Sequence, residues 1–220
     1  MQGMIRCALV AGFLFGCHTD DTAPPDGPVS GNAGITVDWA TTPPTWPGTI
    51  KDGVTLERAR FALDSLRVIG DAGPGDPRTT ARTLDVRWES GTSPDQIAFA
   101  DAPTGLYSQL AIQLDGHLIT NSYRFEGVAH VNGVDYEFRV EDSNALPVTL
   151  SISETVSPSQ NTAIRINVDF VHALESVDFA SLPIDDGRLE LETTSPGITE
   201  FRQKLVESFT APTFSAVTEN

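Results

Sequence analysis

RFEGVAHVNGVDYEFRVE, running from Arg124 to Glu141, decides the fold. Asn132-Gly133 stands between two alternating runs. That dipeptide is the strongest short hairpin signal, because both central residues of the turn must adopt positive φ. A two-residue loop pairs Val131 with Val134, and the register follows outward. One face receives Phe125, Gly127, Ala129 and Val131 opposite Val140, Phe138, Tyr136 and Val134. The other sets Arg124 against Glu141, Glu126 against Arg139 and His130 against Asp135. Three pairs of complementary charge support this register, since a slip of one residue would carry them into the core.

The same period-two pattern extends through the chain, between turn signals. Ile35 to Trp39 is one short run. Val54 to Ile69 is a longer one with a phase slip: Phe61 and Leu63 alternate one way, Leu66 and Val68 the other. A bulge or bend near Ser65 accounts for the slip. Leu84, Val86 and Trp88 line one buried face. Ile97 to Ala100 is short. Leu110 to Leu114, Val148 to Ile152 and Ile164 to Phe170 alternate in turn. One helix is predicted near the C-terminus, with Ser195 as cap and Pro196 in its first turn. Ile198, Phe201, Leu205 and Phe209 form its apolar side. Leu174 to Leu182 has room for a short helical turn. About nine strands with sparse helix predict an all-β, antiparallel two-sheet sandwich with one C-terminal helix, a barrel being the alternative. Transmembrane barrel strands are excluded by pattern, because charges stand on the outward faces.

Length and charge bound the function. The chain has 220 residues and a formal charge of −16, enough for one domain with a sizeable core. Such a surface repels nucleic acid and anionic lipid, so no nucleic-acid partner is expected. The two cysteines are Cys7 and Cys17. A charged start ending at Arg6, an apolar run from Cys7 to Phe15 and the small residue Gly16 have the layout of a secretory signal. The apolar run is shorter than the roughly 20 residues a spanning helix needs. Residues 1–16 are therefore predicted to be a signal peptide. His18 to Ala33, HTDDTAPPDGPVSGNA, has the composition of a disordered tether. The domain then covers residues 34–215, with 216–220 as a tail.

Two resemblances refine this reading. Leu14, Gly16 and Cys17 are similar to the lipobox of bacterial lipoproteins, although Phe15 is larger than the residue usual at that position. The resemblance implies that Cys17 carries a lipid such as palmitate and anchors residues 17–33 to a membrane. With Cys7 removed and Cys17 modified, the domain has no thiol, disulfide or Cys-ligated metal. His18 follows where an Asp would resemble the inner-membrane retention signal of some Gram-negative lipoproteins. This implies the outer membrane, on either face. Asp101 to Leu110, DAPTGLYSQL, leads into an alternating run. With Asn167-Val168-Asp169-Phe170 and the segment Leu174 to Leu182, it is similar to envelope β-sandwich domains of unknown function, of the 4382 type. That resemblance implies a prealbumin-like or immunoglobulin-like sandwich and carries no catalytic residue.

Reactive motifs are sparse. No Gly-x-Ser-x-Gly, HExxH or Gly-rich phosphate loop occurs. The histidines are His18, His117, His130 and His172. Two of them meeting near Asp169 or Asp178 would make a metal site, but their spacing has no ligand pattern. Asp71 with Asp76, and Asp185-Asp186-Gly187, are loop positions of the kind calcium uses, yet neither fits D-x-[DN]-x-[DN]-G. They read as turn residues, and neither metal nor cofactor is expected. Trp88 reads as core. Trp46, in the loop TPPTWPG, either plugs the end of the sandwich or stacks on a ligand. The expectation is a membrane-anchored envelope lipoprotein, not an enzyme, with a structural or interaction role and an unknown protein or glycan partner. The alternative is a carbohydrate- or peptide-binding module anchored on Trp46, and the third reading is an accessory metal-binding protein.

Overall fold

The computed structural model describes residues 34–71, 73–116, 121–158 and 161–217. Cys17, the leader, the tether, His18 and His117 lie outside the described residues. Among the described residues thirteen strands form where the alternation marks about nine. They are β1 (Ile35–Thr42), β2 (Gly48–Lys51), β3 (Val54–Gly70), β4 (Thr80–Trp88), β5 (Ile97–Phe99), β6 (Gly105–Leu114) and β7 (Tyr123–Val131). Then follow β8 (Val134–Asp142), β9 (Leu146–Val156), β10 (Asn161–Asp169), β11 (Ile184–Asp185), β12 (Arg188–Leu191) and β13 (Phe209–Val217). Helix α1 (Phe170–Glu175) follows β10, and α2 (Ile198–Ser208) precedes β13.

The strands form an all-β sandwich of two sheets. The smaller has the order β13-β10-β1-β5 and the larger contains the other nine strands. Most pairings are antiparallel. Two are not: β1 runs parallel to β10, and β12 parallel to β8. Both join segments with no hairpin between them, which alternation does not specify.

The β7–β8 hairpin has the expected register, from Arg124 opposite Glu141 to Val131 opposite Val134. Asn132 and Gly133 take φ of 52° and 83°. His130 Nδ1 lies 2.6 Å from Asp135, and Arg124 Nε 2.8 Å from Glu141. Arg139 is 3.9 Å from Glu126. β3 carries the expected irregularity, its pairing with β6 shifting between Leu63 and Ser65. Along one side of β3, β7 gives way to β6. Ala62 stands at that junction: its N–H donates to Ser122 O, and its carbonyl accepts from the Asp115 N–H, both at 2.9 Å.

The core lies between the sheets and is dominated by aromatic rings. Phe61, Trp88, Phe125 and Phe170 stand 5.4–5.9 Å apart in mostly edge-to-face pairs, an arrangement worth energy beyond the buried area. Phe201 of α2 reaches Tyr123 and Phe125, both at 5.7 Å. The helix is therefore pinned by its apolar face, as its periodicity predicts.

The start of that helix differs from the expectation. Gly197, at φ 87°, occupies the cap position, and Ile198 is the first helical residue. Ser195 Oγ instead accepts the Glu192 N–H at 2.9 Å. Phe209 is buried as expected but opens β13. Phe170 opens α1, capped by Asp169, whose carboxylate accepts the His172 N–H. His172 is thus helical.

A buried ion pair locks α2 to the larger sheet. Arg202 donates to both oxygens of Asp142, at 2.6 and 3.0 Å, and Tyr123 Oη donates to Asp142 at 3.1 Å. Asp142 is fully buried. Burial alone would raise its pKa, but hydrogen bonds from Arg202 and the Asn144 N–H prevail and hold the carboxyl below its ordinary range. Burial, reinforced by Asp142, pushes the Tyr123 phenol far upward, so it stays protonated as a donor.

Candidate functional site: a cleft that gathers the tryptophans

The loop from Thr42 to Pro47 leaves β1 and returns into β2. It is packed tightly enough that a Cβ on Gly48 would sit 2.0 Å from Pro43. Trp46 is held there, half-buried, edge-on to Phe170 at 5.5 Å. Its indole N–H reaches Thr41 Oγ1 at 3.4 Å. One side of this ring plugs the sandwich, and the residue also borders a cleft. Of the two sequence readings of Trp46, the packing of the plug is seen directly, and the cleft is the place where a ligand would meet the ring.

The cleft has a volume of about 480 Å³, within the range of small-ligand sites. One wall is Asp38 to Thr41 of β1, and the end is closed by Pro44 and Trp46. Thr92, Ser93, Pro94 and Gln96, in the segment that leads into β5, also line the cleft. Trp88, only 3% exposed, reaches the floor, T-shaped to Trp39 at 5.8 Å. All three tryptophans of the chain thus meet at one cavity. Arg165 completes the rim, 4.0 Å from Asp38 on the neighbouring strand.

One atom in this wall is unusual. The Trp39 indole N–H is shielded from water and donates to no group. Buried donors are nearly always paired, and one left alone costs about 1–3 kcal/mol.

The other candidates are placed apart. Asp76 accepts the Arg78 N–H at 2.9 Å and its guanidinium at 2.7 Å, capping a short 3₁₀ turn. The side-chain hydrogen bonds from Arg78 hold its carboxyl below the usual range. Asp186 and Gly187 form the turn between β11 and β12, at φ 48° and 79°. His130 pairs with Asp135. His172 lies between Glu175 and Glu207, at 2.9 and 3.4 Å on different ring nitrogens. Among the described residues no three acidic, His or Cys side chains converge as metal ligands.

Sequence reasoning found Trp46 and placed Trp88 in the core, but missed Trp39, Thr41, Ser93, Gln96 and Arg165. Trp39 continues the alternation of Ile35 and Val37, a signal that marks it as inward-facing and nothing more.

Comparisons with known proteins return little. No family model and no curated protein matches the chain. Among solved structures it is similar to MbnP from Methylosinus trichosporium, at 12% identity over 70% of this chain and 82% of that one, with a TM-score of 0.42. A likeness at that level carries no functional inference. Among the described residues no helix is long and apolar enough to cross a membrane.

Proposed function

We propose that this protein is a membrane-anchored, non-catalytic envelope lipoprotein whose β-sandwich works as an interaction module, with the tryptophan cleft as its ligand site. The observation that carries the binding reading is the convergence of Trp39, Trp46 and Trp88 on one open cavity. Aromatic walls supply large contact area at low entropic cost, and a few fixed polar groups orient what they hold. Asp38 and Arg165, Thr41 and Gln96 are the polar groups available here. Support for the anchor comes from the lipobox-like Leu14 to Cys17. Export to the outer membrane follows from the same resemblance.

Two measurements test the reading. Tryptophan emission is titrated against glycan and peptide arrays, with wild type and Trp46→Ala compared on every hit. A ligand that loses about tenfold or more in affinity in the variant is expected, as for an aromatic anchor in a pocket. Equal affinity in both proteins overturns the site. Palmitate labelling of cells expressing wild type or Cys17→Ser tests the anchor: label is expected on the wild type alone.

A further inference from the structure

The wall of the cleft formed by β1 is a sheet edge. On one side β1 is paired along its whole length, Ile35 to Thr42 against Thr162 to Asp169 of β10. On the other, β5 covers only Ile35 to Val37. Among the described residues no strand neighbours that side from Asp38 to Thr42. The cleft runs along this uncovered stretch, because Asp38, Trp39, Ala40 and Thr41 line it in succession. Successive side chains of a strand point to opposite faces. Four consecutive residues border one cavity only where that cavity follows the backbone edge.

An uncovered edge offers a row of N–H and C=O groups to any extended chain, and proteins usually blunt it. Here the chain before Ile97 would have continued β5 along β1. Pro94 lacks an N–H and disfavours that continuation, and Thr92, Ser93, Pro94 and Gln96 line the cleft instead. The space left open is the lane of a missing strand. Beside it is the half-buried Trp46.

We infer that the occupant is an extended peptide segment of about three or four residues, at roughly 3.3 Å each, which adds to β1 as a strand in line with β5. This rests on the reading of the cleft as a ligand site. The peptide main chain takes the edge groups of Asp38 to Thr42, and an apolar side chain lies against Trp46. Strand addition of this kind draws affinity from the main chain and selectivity from side-chain pockets. Asp38 and Arg165 offset each other at the rim, while the overall charge of −16 repels acidic segments. Neutral or basic peptides are therefore selected. A saccharide would use the indole ring but leave the row of edge groups unpaired.

The test screens the full chain against N-acetylated, C-amidated pentapeptides and, in parallel, a glycan array. Each peptide hit is remade with a single N-methyl amide at every position in turn. The expected result is an alternating pattern: about tenfold or greater loss at every second amide and about twofold or less between them. Ser93→Trp, on the exposed side of the cleft, fills the lane without touching the core and abolishes binding. Flat sensitivity to N-methylation, or undiminished binding by Ser93→Trp, overturns the strand. Glycan hits without peptide hits overturn the strand and leave the cleft a ligand site. No hit of either class overturns both.

Discussion

In the β7–β8 hairpin no residue lies more than 19 positions from its partner, whereas β1 meets β10 across 127 positions. The hairpin buries Phe125 and Phe138 in the core, but its register is set locally, by its turn and by surface ion pairs. The small sheet has no such turn. It is held by what packs beneath it: Trp39 on Trp88, Trp88 on Phe170, and Phe170 on Trp46 and Phe125. Closing a long loop costs only slightly more than closing a short one. Distance along the chain therefore does not weaken the small sheet; it moves the burden of specifying it from the turn to the core. The cleft belongs to this second region, where a strand stops short and leaves an edge open.

The comparison breaks if mutations at the two regions do similar harm. The largest effect is expected from Phe170→Ala, which removes the ring shared by Trp46, Phe61, Trp88 and Phe125. A loss of about 3–5 kcal/mol in denaturant unfolding is expected. Next is Arg202→Ala, which leaves the Asp142 carboxylate buried without its cation, at about 3 kcal/mol. The same pair gives a pH signature. Because the folded pKa of Asp142 is depressed, its contribution is complete above the unfolded carboxylate value of about 3.9 and disappears as pH falls through the folded value. Melting curves from neutral pH into this acid range are expected to fall less steeply in Asp142→Asn than in the wild type.

At the hairpin the effects shrink. Gly133→Ala forces a Cβ onto a left-handed residue, at about 1–2 kcal/mol. His130→Ala removes an exposed pair whose partners are 54% and 73% open to solvent. It is expected to change unfolding free energy by less than about 1 kcal/mol. A His130 variant as damaging as Phe170→Ala would erase the distinction between the regions.

The same division explains what was legible in the sequence. The hairpin register, its charge pairs and the slip near Ser65 follow from alternation and one turn, which are local. Helix α2 was legible through Ile198, Phe201 and Leu205, but its start was not, because Ser195 spends its hydroxyl on Glu192 and Gly197 takes the cap. The parallel pairings carry no local mark. β13 contains Pro212 and was not recognised as a strand. Trp46 stood out because of its Pro-rich loop. Trp39 did not, since its role depends on where β5 ends. An edge is a property of a missing neighbour, and alternation along one strand does not reveal which neighbours it lacks.

The strand that carries the open edge is also the strand into which the chain ahead of Gly34 leads. If the proposed anchor and the inferred peptide hold, tension on that preceding segment would enter the domain at Ile35 and meet the peptide at Asp38 to Thr42, a few residues later. The mechanical line would then run along β1 alone, bypassing the larger sheet. Eight residue pairs with β10 brace that line from the side, so the sandwich would resist a pull through its smaller sheet.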